Sequence, residues 1–586
     1  MSISSSDRPL PQSLTPRQLR DALDAATEIA LIDVREHGLY TRGHLLLAAN
    51  APLWRLGLLI GDLVPRRATR IVLIDEDGSL LEEAARRLER LGYGNLALLS
   101  GGTLAWQAAG LEIFIDENVP SKALGEVIEV EAHTPNISVE ELRRRQANGE
   151  KLVIVDGRTP EEFANFSLPG AHNIPNGELP YRIRELAPDA QTMVVVNCAG
   201  RTRSIVGAQT LIDGGLPNPV VALTNGTMAW LLADLPLEQG RRTALPQPGA
   251  ENLSAAREQA RRLTQRAGIA TIDAPALAAL RADAERTLYQ FDTRTHDEYQ
   301  AGHLPGFRWA PGGQLVQATD RFAAARGARI VLADWDGVRA RHTAAWLRRL
   351  GGFEIFLYEP GADDEREQGP STPLVLRDSA LPPATEIAPR QLSQLLERQA
   401  AQVIDVDDSL RFIRRHIAGA RFIAPHRLTE WLPKLAAADD GRQWVLTSND
   451  GVLAGLIAGE LQRYDISAAA LAGAIRRGSP PVCRWKAAMK TFSPPRKTGS
   501  TTAIASAIRR GAIGCSGTIW TGKSAWCGSW SNRAANCALT CRDRRITAFR
   551  RQPDETPYQC PAPDPASPPA PHAASPAAVA SRQAAC

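Results

Sequence analysis

Residues 194–204 read Val-Val-Val-Asn-Cys-Ala-Gly-Arg-Thr-Arg-Ser, and this stretch decides the fold. Its continuous run of β-branched residues predicts a buried strand that ends just before Cys198. The small and basic residues after the cysteine predict a tight loop, and the segment that begins at Ser204 predicts a helix. A strand, a loop and a helix in this order are typical of an α/β domain with a parallel sheet.

The loop predicts an anion site around a reactive thiol. Backbone N–H groups at such a loop and at the start of the next helix point inward and attract negative charge. With the help of Arg201 and Arg203, this positive end favours the thiolate form of Cys198. A buried structural cysteine is the alternative. Because two arginines and a glycine within five residues do not suit a dry core, we interpret Cys198 as a nucleophile.

Four approximate repeats surround this stretch. Each repeat begins with an apolar strand that ends in an aspartate, at Asp33, Asp156, Asp292 and Asp405. The spacing of these aspartates suits one small α/β domain per repeat, and the alternation of strands and helices predicts doubly wound parallel sheets. We expect units over residues 10–115, 130–240, 268–362 and 384–474, the last incomplete, and an irregular tail over 475–586. Residues 238–266 and 360–384 are interpreted as linkers.

The other three units differ from the second at the position of the cysteine. They have Asp75, Asp334 and Ser448 there, and their loops keep a turn-forming Asp-Gly pair but little positive charge. An acidic loop repels anions, and these loops have no thiol, so we expect these three units not to share the chemistry of the second. The pattern Asp-x-Arg, as in Asp156 and Arg158, recurs in units without the thiol. We therefore interpret it as structural, with an ion pair to a glutamate such as Glu161 or Glu162.

The loop from Cys198 to Arg203 resembles the active-site loop of the rhodaneses, which are sulfurtransferases that carry a cysteine persulfide. Further residues of the second unit share the resemblance: Asp156-Gly-Arg158, Pro169-Gly-Ala171 and Asn225-Gly-Thr-Met-Ala-Trp230. The resemblance covers about residues 10–475; it is strong in the second unit and architectural in the others. The layout is similar to that of multi-domain bacterial rhodanese-related proteins with four units.

This resemblance implies a double displacement that moves a sulfane sulfur from thiosulfate or another persulfide donor to cyanide or a thiol acceptor. Cys198 would be the catalytic residue, and backbone N–H groups of the loop would stabilise the persulfide. Arg201 and Arg203 would bind the donor's sulfonate, and Ser204 would add a hydroxyl contact or cap the helix. The predicted substrate-binding residues are Ala199, Gly200, Arg201, Thr202, Arg203 and Ser204, with no metal and no cofactor.

Two other functions stay open. A cysteine phosphatase or arsenate reductase of related fold uses a Cys-x₅-Arg loop; here the spacing from Cys198 to Arg203 is one residue shorter, and Asn197 replaces the histidine often found before the cysteine. A smaller ring suits one sulfur atom better than phosphate.

A non-catalytic sulfur-relay or scaffold protein is the other interpretation, because three units lack the thiol. The thiol-free units would then cover or shape access to the second unit, within one chain or in a homo-oligomer.

Charge and cysteine usage both change near residue 482. The net charge of +4 arises after that point, and residues 1–482 are net acidic, so we expect no nucleic-acid partner. Seven of the eight cysteines lie at or beyond Cys483, which leaves Cys198 alone before it and agrees with a reducing compartment. The absence of a signal-like start and of long apolar runs predicts a cytoplasmic protein without membrane spans.

The tail from residue 475 is basic and contains cysteine and tryptophan without periodicity. A disordered tail is one interpretation. A zinc module is a second, but the cysteines lack paired C-x₂-C spacing. We favour a third, in which the coding frame slips near residues 471–474 and the remainder is out-of-frame text.

Overall fold

The computed structural model describes residues 9–25, 27–437 and 441–473, together with the backbone of residues 485–486. The tail and its three interpretations therefore lie outside the described residues, apart from a two-residue strand. The described chain consists of four α/β units, each built on one sheet. The predicted fold class, tandem doubly wound units with parallel sheets, is confirmed.

The first unit alternates strands and helices as predicted. Its strands are β1 (Gln12–Leu14), β2 (Ile29–Asp33), β3 (Ala48–Asn50), β4 (Arg70–Ile74) and β5 (Leu96–Leu99). Its helices are α1 (Pro16–Asp24), α2 (His37–Tyr40), α3 (Leu56–Leu63), α4 (Leu81–Arg90) and α5 (Gly102–Ala108). Helix α6 (Val119–Ala132) then leads into the second unit.

The second unit repeats this order. Its strands are β6 (Asn136–Ile137), β7 (Leu152–Asp156), β8 (His172–Asn173), β9 (Met193–Asn197) and β10 (Val220–Leu223). Its helices are α7 (Val139–Ala147), α8 (Pro160–Asn165), α9 (Leu179–Leu186), α10 (Thr202–Asp213) and α11 (Gly226–Leu232). Helix α12 (Ala250–Arg266) connects it to the third unit.

The third and fourth units follow the same plan. Strands of the third are β11 (Ala270–Ile272), β12 (Leu288–Asp292), β13 (Arg308–Trp309), β14 (Ala325–Arg326), β15 (Arg329–Ala333) and β16 (Glu354–Tyr358), and its helices are α13 (Ala274–Ala282), α14 (His296–Ala301), α15 (Gly312–Gln317) and α16 (Arg339–Leu350). Strands of the fourth are β17 (Glu386–Ile387), β18 (Ala401–Asp405), β19 (His416–Ile417), β20 (Arg421–Phe422), β21 (Gln443–Thr447) and β22 (Ala469–Leu471), and its helices are α17 (Pro389–Glu397), α18 (Ser409–Arg414), α19 (Leu428–Ala437) and α20 (Val452–Leu461). The further strand β23 (Trp485–Lys486) pairs with β19.

Strand β9 lies in the middle of its sheet, between β7 and β10 and parallel to both. The full order in this unit is β6-β10-β9-β7-β8, and the other three sheets have the equivalent order. Val194, Val195 and Val196 are completely buried, because helices cover both faces of the sheet. This burial explains the β-branched run. Ligands of such sheets bind beyond the carboxyl ends of the central strands.

The recurring Asp-x-Arg pattern forms an ion pair within itself. The Arg158 Nε and Nη2 groups donate to the Asp156 carboxylate at 2.9 and 2.8 Å, and Nη2 also donates to the Phe166 carbonyl at 2.7 Å. The first and third units repeat these bonds. The structural interpretation therefore holds, but the predicted partner of Arg158, Glu161 or Glu162, is wrong. The carboxylate two residues earlier is nearer to the guanidinium.

Both segments that we interpreted as linkers are packed against the units. Ala256 and Ala260 of α12 are buried, and α12 packs against α9 and α16. In the segment 360–384, the Leu376 N–H donates to the Gly57 carbonyl of α3 at 2.7 Å. Their polar composition reflects one solvated face rather than a free chain.

The first three units share one apolar core. Buried residues from all three form a single cluster, with Ile60, Val196 and Leu347 as members. Strand β14 of the third unit pairs antiparallel with β2 of the first. At this junction the Tyr289 hydroxyl donates to the Leu63 carbonyl at 2.5 Å and accepts from the Ala325 N–H at 3.0 Å. The units are thus held together by buried contacts.

We expect Tyr289→Phe to lower the free energy of unfolding by about 1–3 kcal/mol, because the Leu63 carbonyl and the Ala325 N–H would lose a buried partner. Thermal or urea unfolding measures the change. Tyr181→Phe is the control, since the Tyr181 hydroxyl makes no hydrogen bond to a described residue. Equal stability of the two variants would contradict a role for this junction.

Candidate active site

Cys198 lies directly after β9, and α10 begins four residues later. Its side chain is 2 % exposed, and the Ser204 hydroxyl donates to Sγ at 3.1 Å. The predicted strand, loop and helix are therefore confirmed. Ser204 lies inside α10 rather than at its N-cap, and its hydroxyl faces the sulfur. The structure thus favours the thiol contact over the capping alternative for Ser204.

The turn before α11 holds the backbone of the loop in place. The Thr227 N–H and hydroxyl both donate to the Cys198 carbonyl, at 2.8 and 3.0 Å, and the Met228 N–H donates to the Ala199 carbonyl at 2.9 Å. Gly226 has φ +50°, and a Cβ there would lie 2.3 Å from the Cys198 carbonyl oxygen. Only glycine permits this approach, which explains the Asn-Gly-Thr motif.

Asn197 links the loop to the neighbouring strand. Its amide Nδ2 donates to the Asp156 carboxylate at 2.9 Å and to the Thr227 hydroxyl at 3.1 Å, and the Asn197 side chain is completely buried. Sequence reasoning did not find Asn197 or Thr227 as positioning residues. A signal existed for the threonine, since the Thr103 N–H of the first unit donates to the Asp75 carbonyl at 2.9 Å.

The thiol-free loops show what the backbone N–H groups at the equivalent positions bind. In the first unit the Gly78 and Leu80 N–H groups donate to the Asp75 carboxylate at 2.7 and 2.8 Å. In the third unit, the Asp334 carboxylate accepts from two backbone N–H groups at 2.7 Å each. In both units the loop N–H groups therefore bind the carboxylate of the residue at the cysteine position. We call this set of inward-facing loop N–H groups the anion cradle.

These internal carboxylates are buried, and burial raises the pKa of Asp75. Burial, followed by the nearby charge of Asp336, raises the pKa of Asp334 to about 7. In the fourth unit the Ser448 hydroxyl occupies the position and accepts from the Ala454 N–H at 3.1 Å. The second unit has a thiol instead. The backbone N–H groups of residues 199–203 find no acceptor among the backbone carbonyls that the structure describes.

Both loop arginines are paired with carboxylates. The two Nη groups of Arg203 donate to Glu162 of α8 at 2.7 and 2.8 Å. The Arg201 guanidinium is 2.9 Å from a Glu126 carboxylate oxygen and also contacts Glu129. Burial lowers the pKa of Arg203, but Glu162 outweighs it and leaves that pKa above its usual value. The predicted contact of these arginines with a donor stays a prediction.

The pair between Arg203 and Glu162 recurs in a unit without the thiol. Arg339, at the equivalent position of the third unit, donates to Glu298 at 2.7 and 2.9 Å. By the argument used for Asp-x-Arg, this recurrence favours a positioning role for Arg203. Thr202 lies against α6, because a Cβ on Gly125 would be 2.9 Å from the Thr202 Cγ2.

The described residues contain no group of three His, Cys, Asp or Glu side chains that could hold a metal ion. No helix in the described part of the chain combines the length and the apolarity needed to cross a membrane.

The family follows from comparison with known proteins. The rhodanese-like domain model matches residues 15–109, 138–233, 274–364 and 388–477, which together exceed half of the chain. The chain therefore belongs to the rhodanese-like family, with four copies of the domain. It is a rhodanese-like sulfurtransferase by family.

Individual relatives agree with this assignment. A crystal structure of thiosulfate sulfurtransferase from Pseudomonas aeruginosa is 42 % identical and superposes with a TM-score of 0.75, covering 79 % of this chain and 87 % of that one. A sulfurtransferase of Allochromatium vinosum is 34 % identical over 101 residues, 17 % of this chain and 92 % of the relative. An HTH-type transcriptional regulator of Mycobacterium tuberculosis is 31 % identical over 165 residues, 28 % of this chain and 70 % of the relative.

We expect Gly226→Ala to destabilise the protein by about 2 kcal/mol or more and to reduce sulfur loading, since the new Cβ would push against the Cys198 carbonyl. Unfolding curves and a loading assay measure both effects. Gly170→Ala is the matched control, because Gly170 also has positive φ, +75°, but no atom lies within 4 Å of its Cβ position. A Gly226→Ala variant no worse than Gly170→Ala would contradict the close approach.

Proposed function

We propose that this protein moves a sulfane sulfur from thiosulfate or a persulfide donor to cyanide or a thiol acceptor through a persulfide on Cys198. The observation that carries the proposal is the difference between the second loop and the loops of the first and third units. At the position where two other units bury a carboxylate, the second unit has a thiol that accepts a hydrogen bond from Ser204. The likeness to the Pseudomonas aeruginosa thiosulfate sulfurtransferase supports thiosulfate as a donor.

The proposed reaction has two displacements. The Cys198 thiolate attacks the outer sulfur of thiosulfate, the Cys198 S–S bond forms, the S–S bond of thiosulfate breaks, and sulfite leaves with the electron pair. Cyanide or a thiolate then attacks the outer sulfur of the persulfide and releases the Cys198 thiolate. The donated hydrogen bond from Ser204 and the N–H groups of residues 199–203 would stabilise the anionic sulfur in both steps.

The thiol-free units have a different proposed role. Their loops lack a thiol at the equivalent positions, and the carboxylates of Asp75 and Asp334 already occupy the loop N–H groups of the first and third units. These two units contribute buried surface to the shared core instead, whereas the fourth unit packs its apolar residues against Trp54 of the first. We infer that they support and enclose the second unit rather than carry sulfur themselves.

Phosphatase chemistry is less well supported. A phosphate loop needs a guanidinium that grips the phosphate oxygens, whereas Arg203 donates both Nη groups to Glu162. The same pairing limits Arg203 as a ligand for the sulfonate of thiosulfate. Turnover of an aryl phosphate without any transfer from thiosulfate would reverse our preference for sulfur transfer.

Mass spectrometry of the intact protein after incubation with thiosulfate tests the proposal. We expect a gain of one sulfur atom on the peptide that contains Cys198, and its loss on addition of cyanide. Cys198→Ser should abolish both, because a hydroxyl does not form the persulfide. A Cys198→Ser variant that still transfers sulfur at the full rate would exclude the proposed mechanism.

We expect Ser204→Ala to slow sulfur loading by about tenfold at neutral pH, because the thiolate would lose a buried hydrogen-bond donor. Ser167→Ala is the matched control, since the Ser167 hydroxyl is buried in the same unit and has no hydrogen-bond partner among the residues that the structure describes. Equal loading rates for the two variants would show that Ser204 has no effect on the thiol.

A further inference from the structure

Helix α6 forms one wall beside the active-site loop. It lies between the first and second units in sequence and packs against α10, the helix that begins in this loop. Leu124 and Ile128 anchor it in the shared core. The Ser121 hydroxyl also donates to the Gln317 carbonyl of the third unit at 2.7 Å. The wall is therefore a packed part of the protein rather than a loose lid.

The side of α6 that meets the loop carries two glutamates and a glycine. Gly125 lets Thr202 approach the helix, and Glu126 and Glu129 both pair with Arg201. Arg201 is the third residue after Cys198. At the equivalent position in the first unit, Gly78 donates its N–H to the carboxylate in the cradle. The acidic wall is thus held next to the place where the donor's anion would bind.

Arg201 is the more accessible of the two loop arginines. Its side chain is 37 % exposed, whereas that of Arg203 is 13 % exposed and is held by Glu162. Of the two arginines, Arg201 is therefore the one that solvent and small anions can reach. Two carboxylates oppose its single positive charge, so Arg201, Glu126 and Glu129 together are net negative when all three are ionised. Such a field disfavours a donor in proportion to its negative charge.

We propose that Glu126 and Glu129 determine donor specificity by neutralising Arg201, which lowers the loading rate with dianionic donors such as thiosulfate more than the rate with donors that carry one negative charge or none. This inference rests on the proposed sulfur transfer at Cys198. It deepens that proposal by ranking the donors: thiosulfate loads the thiol, but persulfides and thiosulfonates without a second charge near the sulfane sulfur are the favoured class.

Thiosulfate and methanethiosulfonate form a suitable pair of probes. Each presents a terminal sulfur on a sulfonyl group, but a methyl group in the second replaces one charged oxygen of the first. The thiolate of Cys198 attacks the terminal sulfur in either case, the sulfur–sulfur bond of the donor breaks, and sulfite or methanesulfinate leaves with the electron pair. The donors therefore differ mainly by one unit of charge.

The experiment measures the second-order rate constant of persulfide formation on the full-length protein by quenched flow and mass spectrometry. We expect Glu126→Gln combined with Glu129→Gln to raise the rate about tenfold with thiosulfate and about threefold with methanethiosulfonate, since the repulsion scales with donor charge. The difference should shrink in high salt. Glu131→Gln, an exposed change on the same helix, should leave both rates unchanged.

An unchanged ratio of the two rates in the double variant would overturn the inference while leaving sulfur transfer intact. Failure of the unmodified protein to load from either donor would remove the proposed function and this inference with it. If the double variant does not fold, Glu129→Gln alone is measured. It should change the rates in the same direction, by about the square root of each factor, and no change would again overturn the inference.

Discussion

Backbone N–H groups that face inward at the carboxyl end of each central strand (β4, β9, β15 and β21) require a negative or polar partner, and this requirement organises all four units. A buried N–H without an acceptor is costly. Asp75 and Asp334 meet the requirement with their own carboxylates, and Ser448 meets it with a hydroxyl. Cys198 has no oxygen with which to do so. The second unit is therefore the one in which we expect the cradle to take an anion from solution or to hold a sulfur anion on the cysteine.

The charged side chains around the loop pair with one another rather than leaving a free positive charge for a donor. Arg203 forms an ion pair with Glu162, and Arg339 forms the equivalent pair with Glu298 in the third unit, where no thiol is present. Arg201 meets the acidic face of α6. A loop that contains two arginines is consequently much less positive than its composition indicates. In our proposal, hydrogen bonds from Ser204 and the backbone stabilise the sulfur, and the arginines mainly hold the loop in shape.

The extra units contribute to this arrangement because they hold helix α6 in place. The core is continuous across the first three units, and α6 is fixed by contacts to the second and third. A single rhodanese-like domain would lack the helix that carries Glu126 and Glu129. Buried contacts between the units, such as those of Tyr289, also mean that the position of one wall depends on the others.

The amino-acid sequence by itself determined the repeat, the parallel α/β class and the position of Cys198 after a central strand. These features depend on local patterns: a β-branched run, a glycine-containing loop and an aspartate at each strand end. It also indicated that Asp156 and Arg158 are structural. Only the tertiary structure decided the partners of the charged residues. Glu126 and Arg201 are 75 positions apart, and Glu162 and Arg203 are 41 apart, so no local pattern links them. Ion pairs of this kind follow from which helices the packed core brings together, and a sequence shows the charges without showing that choice.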